Sequence, residues 1–275
     1  MVVLFSLAAA LSYGLSDFVG GLASRRTTAW PVAFLGTLSA LAGALVLALV
    51  VEGAPTSSDL WWGALAGIGS GAGGAFLYRG LAAGRMGVVA PISAVGAALV
   101  PVTVGVVTGE RPDPLVWLGI AAAVPGIWFV SREPGASGDV AAGIVDGVLA
   151  GLGFGLLFAA MGQVPESAGF WPLTVAQGMA AVAVVVTATV LGGRWVPDHP
   201  SQAWGLAAGV LATAAVVAVM LATQTGLLTV ASVVTSLYPA ITIVLAAAVL
   251  REHIHRAQAV GLALCGVAVV LVAAG

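Results

Sequence analysis

The sequence predicts an all-α integral membrane protein of ten transmembrane helices, built as two inverted five-helix repeats. Three observations carry that reading. The chain of 275 residues is 60% hydrophobic and 7% charged, with a mean hydropathy of +1.12. Its apolar residues collect in ten long windows, at 2–23, 31–51, 61–82, 87–108, 115–131, 143–162, 170–191, 203–223, 228–250 and 257–274. The anchors of the first five windows then recur in the last five. A soluble domain carries about 25% charged residues, so the solvent for most of this chain is lipid. In hydrocarbon every backbone group must bond within the chain, which makes the windows helices.

Each window has its own justification. The first opens on an apolar run with no basic residue ahead of it, so it is expected to stay as a span rather than be cleaved as a signal. The second follows Arg25-Arg26 and begins at Trp30-Pro31, a proline placed where a first helical turn tolerates it. The third follows the polar connector 53–59 and carries Gly63, Gly67, Gly71 and Ala75 at four-residue spacing. The fourth belongs to a stretch from Gly87 to Arg111 with Ser93, Pro91 and Pro101, and the fifth runs into the longest polar stretch, 132–142. The sixth repeats the small ridge as Gly143, Gly147, Gly151 and Gly155. Such ridges let helix backbones approach where lipid removes the hydrophobic drive for association, and they are read as scaffold. The seventh starts at Trp171-Pro172 and the eighth follows the turn residues of 192–200. The ninth, Leu228 to Glu252, holds Ser232, Thr235, Ser236, Tyr238 and Pro239 before a charge pair, and the tenth closes the chain.

The repeat is visible in matched residues. Trp30-Pro31 recurs as Trp171-Pro172, Trp62-Gly63 as Trp204-Gly205, Gly119 as Gly261, and Glu110 as Glu252. The organisation expected is a first repeat over 1–131, an inter-repeat loop over 132–142 and a second repeat over 143–275. Five spans per repeat force the second to enter the membrane in the opposite sense. A long span with prolines and hydroxyls, given once in each half, points to a binding site between inverted repeats.

Several functions find no support. No basic tract is present to grip nucleic acid, and Cys265 is the single cysteine. His253 and His255 lack the i, i+4 spacing of a helical zinc pair. They are read as part of a solvated loop, and Glu110 and Glu252 as helix-end residues bonded to loops. No nucleophile triad or phosphate loop appears. An intramembrane enzyme would need two convergent acid/base groups, so the chain is not expected to be an enzyme. A non-transporting scaffold or sensor is the other alternative.

The chain resembles the drug/metabolite transporter superfamily, and within it the proteins with two EamA repeats. The residues that carry the resemblance are 231–252 (ASVVTSLYPAITIVLAAAVLRE), 90–112 (APISAVGAALVPVTVGVVTGERP), 78–84 (YRGLAAG) and 13–26 (YGLSDFVGGLASRR). The resemblance implies ten helices, no cofactor, and export or exchange of small metabolites across the cytoplasmic membrane. It departs at one position. The mid-span proline of that family stands here as Pro239 in the second repeat, but Ala97 takes its place in the first.

Two ionised groups, Asp17 and Arg79, are expected inside apolar spans, where a charge is costly and marks function by default. Counted from Arg25 and Arg85, both lie roughly 9–12 Å in from the same membrane face, and both fall on small-residue faces. They are expected to meet, directly or through water. Paired, Asp17 stays ionised and carries protons poorly; unpaired, it makes proton coupling available. A structural ion pair, or an Arg79 that snorkels to the interface, is the competing reading. The remaining candidates for lining a substrate cavity are Tyr13, Ser16, Ser93, Gln177, Gln224, Thr235 and Tyr238. One acid, one base and several hydroxyls suit a small polar metabolite such as an amino acid or related zwitterion, moved by alternating access.

Orientation is read two ways. One set of connections holds Arg25, Arg26, Arg85, Arg132, Arg194, Arg251 and Arg256, and the opposite set holds Arg111. Arginine is enriched in cytoplasmic loops, which puts the seven-arginine face inside and both termini outside. The resemblance implies the reverse.

Overall fold

The computed structural model describes residues 1–24, 27–82, 86–131, 140–251 and 254–275; at 78, 80–82, 86–88, 90–91 and 140–142 it describes the backbone alone. Among the described residues the chain is helical, with no strand. In order the helices are α1 (Val2–Ser24), α2 (Ala29–Val50), α3 (Ser57–Ala82), α4 (Met86–Val107), α5 (Pro114–Ser131), α6 (Val140–Met161), α7 (Trp171–Val190), α8 (Trp204–Thr225), α9 (Leu228–Thr235), α10 (Tyr238–Leu250) and α11 (Arg256–Ala274). Among the described residues, eight helical spans are long and apolar enough to cross a membrane, one of them Leu228–Leu250, and a shorter apolar helix covers Ile92–Val107. α3 is not among the eight: it has 26 residues, but its seven glycines dilute its apolar character.

The ninth window is two helices rather than one. Proline lacks an N–H and its ring clashes with the carbonyl four residues back, so Pro239 cannot continue the ladder onto Thr235. α9 stops there. Ser236 and Leu237 form a tight turn, with the Leu237 N–H donating to Val234 O at 3.2 Å and the Ala240 N–H to Leu237 O at 2.9 Å. α10 then starts with its proline in the first turn. In the first repeat, where Ala97 replaces that proline, α4 runs unbroken from Met86 to Val107.

Packing follows a pseudo-two-fold pattern, with inverted repeats. α1 lies on α8 as α6 lies on α3; α1 meets α9 and α10 as α6 meets α4; α2 packs on α8 as α7 packs on α3; α5 and α11 pair with each other. The partners of each repeat's first helix are thus in the other repeat. The small ridges supply these contacts. A Cβ on Gly67 would collide with the Ala176 carbonyl of α7, and one on Gly209 with the Gly36 carbonyl of α2. Gly96 and Gly151 pack backbone to backbone between α4 and α6, where a Cβ on Gly96 would lie 2.7 Å from the Gly151 Cα. The result is two interlaced groups, α1/α2/α8/α9/α10 and α3/α4/α6/α7.

The two groups meet at the membrane face that carries both termini, here the terminal face. There the Ala54 N–H donates to Ser167 O at 2.8 Å, and Gly53 packs on the Ala168–Gly169 backbone. Beside this junction Glu110 bonds the first turn of α9, so its partner is a helix start rather than the loop expected from the sequence. Glu252 and His253 lie outside the described residues.

Candidate functional site

Between the two groups lies a cavity of ≈ 1410 Å³. Its wall comes from α1, α2, α3, α6, α7 and α8, with Ala97 of α4 and Tyr238 at the start of α10. It reaches the face opposite the termini, here the arginine face, where Ser24, Thr28 and Arg194 line it. Small residues make the space. Gly20, Gly21, Gly36, Gly67, Gly74 and Gly209 all stand on the wall.

The deep end is built on α1. Tyr13 and Asp17 are four residues apart and share one face of the helix. Tyr13 stacks at 5.9 Å from the ring of Tyr238 and edge-on at 6.0 Å from Phe158. Gly14 lets α10 approach this closely, since a Cβ there would lie 2.5 Å from the Cβ of Ile241. The Ser16 hydroxyl donates to Ala208 O at 2.8 Å and ties α1 to α8. Asp17 lies seven residues before the end of α1, about 10 Å below the arginine face at 1.5 Å per residue, and its side chain is exposed to the cavity.

Arg79 does not pair with Asp17. Its Nε donates to Asp146 Oδ1 at 2.8 Å, and its Nη2 bonds the same oxygen. The guanidinium also rests 4.8 Å from the centroid of Phe76. The physical reason lies in which helices pack together. Helical side chains lean toward the N-terminus, which carries the guanidinium inward to the depth of Asp146. That aspartate is on α6, the helix packed against α3. Asp17 is on α1, across the cavity.

Asp146 is the ion-pair partner the sequence reading missed. It is 1% exposed and stands inside the sixth apolar window, so the signal that singled out Asp17 applied to it equally. Its nearness to the polar stretch 132–142 hid it. Of the expected lining residues, Tyr13, Ser16, Asp17, Arg79, Gln177 and Tyr238 all line this cavity. Ser93, Gln224 and Thr235 do not. Ser93 and Thr235 are both buried, at equivalent positions of the two repeats. Thr235 and Ser236, at the helix break, have hydroxyls with no hydrogen-bond partner among the described residues. Nor do the described residues contain a cluster of three or more His, Cys, Asp or Glu side chains that could hold a metal.

Comparison with known proteins fits this architecture. A solved crystal structure, described only as that of a protein, matches over 98% of this chain and 95% of its own, at 19% identity and a TM-score of 0.73. It shares the fold. No curated protein matches the chain. The family model of the EamA-like transporter family matches twice, over residues 1–132 and 141–274. With both repeats covered, and with helices that can span a membrane arranged around a central cavity, the chain belongs to the EamA-like transporter family.

Proposed function

We propose that this chain is a secondary transporter of the cytoplasmic membrane that moves a small polar metabolite by alternating access through the central cavity. The observation that carries the reading is the cavity's one-sidedness. Its lining runs from Tyr13 and Tyr238 to the arginine face, while the two helix groups meet at the terminal face through Ala54, Ser167 and the start of α9. That is the form of one end-state of a two-state carrier. Rocking the interlaced groups about the deep end would open the other face. The broken span at Pro239 offers a joint for that motion, because its turn lacks a continuous helical ladder.

Asp17 supplies a coupling group. Without an ion pair among the described residues, it is free to exchange a proton when the cavity faces water. The reading assigns no catalytic role and no cofactor. Purified protein in proteoliposomes, with a pH gradient imposed across the membrane, tests it. Accumulation of a candidate metabolite should follow the gradient and collapse in Asp17→Asn. Flux of no metabolite, or flux indifferent to both the gradient and the variant, refutes the coupled-transport reading.

A further inference from the structure

We propose that the deep end of the cavity is a site for an organic ammonium cation, held by Asp17 against the rings of Tyr13, Phe158 and Tyr238. The proposal rests on the reading above only in taking the cavity as the substrate site. It replaces the zwitterion that the sequence alone suggests.

Among the described residues, three charged side chains line the cavity: Asp17, Arg79 and Arg194. Arg79 is met by Asp146, whose side chain is almost fully buried beneath it. Arg194 is met by Asp198 at 3.4 Å. Asp17 is met by no opposite charge among the described residues. A zwitterion needs a guanidinium open to its carboxylate, and the guanidinium nearest the deep end already holds one. The charge left for a ligand to satisfy is therefore negative, and at membrane depth an unmatched carboxylate is costly. A ligand that brings positive charge relieves that cost; one that brings a carboxylate adds to it.

The surroundings of Asp17 specify the kind of cation. Aromatic faces attract ammonium groups through the ring quadrupole, and three rings gather here at centroid separations of 5.9 and 6.0 Å. Asp17 lies one helical turn from Tyr13 on the same face of α1, and both line the cavity with Tyr238. Phe158 is the repeat-equivalent of Asp17, so a ring stands where the other repeat has its carboxylate, and both line the cavity. Hard metal cations instead take six or more oxygens. Among the described residues the wall offers a single carboxylate: its other side-chain oxygens are neutral, as on Thr37, Ser70 and Gln177, and the Ser16 hydroxyl is committed to Ala208. A carboxylate beside aromatic faces, opening into an apolar space, fits an ammonium head with an apolar body.

The test uses the full chain, purified in detergent, and probes that share a body and differ in charge. Calorimetric titration compares phenethylammonium and tetraethylammonium with zwitterionic phenylalanine and anionic phenylacetate. At least one of the two cations should bind at least tenfold more tightly than phenylalanine, with phenylacetate weakest. Asp17→Asn should lose tenfold or more of the cation affinity, while Asp17→Glu, which keeps the charge, retains most of it. Tyr238→Leu should weaken binding and Tyr238→Phe should not. Phenylalanine or phenylacetate binding as tightly as the better cation overturns the proposal. So does cation binding unchanged in Asp17→Asn, or binding by neither cation. Cation binding without flux supports this site while refuting transport. Flux of an anionic metabolite that survives Asp17→Asn does the reverse.

Discussion

Glu110, at the end of the first repeat, accepts a 2.9 Å hydrogen bond from the backbone N–H of Thr229, at the start of the broken span of the second repeat. Its other carboxylate oxygen accepts from the Leu228 N–H. These are among the first N–H groups of α9, which have no partner within the helix, and a negative charge is favoured there by the helix dipole. Gly105 makes room, since a Cβ would press on both the carboxylate and the Thr229 hydroxyl. One carboxylate thus joins the α3/α4/α6/α7 group to the α1/α2/α8/α9/α10 group at the closed face.

Glu110→Gln removes the charge and leaves one good acceptor, so closure at the terminal face should weaken by about 1.5–3 kcal/mol, the range for hydrogen bonds to charged groups. A cysteine at Val230, buried in the native chain, reports it in a Cys265→Ser background. Its rate of labelling by a membrane-impermeant thiol reagent should rise severalfold in Glu110→Gln. An unchanged rate would show that Glu110 does not hold this face shut.

Arg79 and Asp146 should be coupled in stability. Removing one partner of a fully buried pair costs about 3–5 kcal/mol; the Arg79 side chain is 44% exposed, so roughly 1–3 kcal/mol is expected here, toward the smaller cost of exposed pairs. Thermal unfolding of Arg79→Gln, Asp146→Asn and the double variant should show the double variant losing clearly less than the sum of the two. Additive losses would mean that the contact contributes nothing as a pair.

Asp17→Asn should separate function from stability. The substitution removes an unmatched carboxylate from membrane depth, so the melting temperature should stay level or rise while transport falls at least tenfold. Sites that carry function commonly cost stability in this way. A large drop in melting temperature would instead identify Asp17 as a structural residue.

Glycine substitutions should divide by contact. Gly209→Ala drives a methyl into the Gly36 backbone and to 2.8 Å from the Ser39 Cβ, and overpacking of this kind costs about 1–3 kcal/mol. Gly266→Ala meets nothing within 4 Å and should be neutral or slightly stabilising. The same unfolding measurement on both variants checks the pair; equal effects would refute tight packing at Gly209.

For orientation we propose the reading that the arginines favour over the one the family resemblance implies. Seven of the nine arginines belong by sequence to the arginine face and one, Arg111, to the terminal face, and arginine is enriched in cytoplasmic loops, which would put the cavity mouth in the cytoplasm. An alkaline phosphatase fused after Gly275 should therefore be active outside the cytoplasm. An inactive phosphatase with a fluorescent green fluorescent protein at the same position reverses the assignment.

Composition, window spacing and the matched Trp-Pro and Trp-Gly anchors determined the membrane class, the helical windows and the inverted repeat, because lipid forces local backbone satisfaction and a hydrophobic window is a local property. The break at Pro239 was not legible, because a proline by itself does not end a helix: Pro101 and Pro125 stand inside α4 and α5, which run on. Nor was the partnership of Arg79. The sequence showed two charges at similar depth, and only the packing decided that α3 lies against α6, leaving the cavity between Arg79 and Asp17. Nor could the sequence show that each repeat gives its first helix to the other, so that the groups which meet at the closed face are not the sequence halves. Such pairings depend on which glycine ridges dock, and several ridges of similar spacing compete. Ser93 and Thr235 failed as lining residues for the same reason: a hydroxyl on a helix announces polarity, but the neighbouring helix decides whether it faces a cavity or a packed wall.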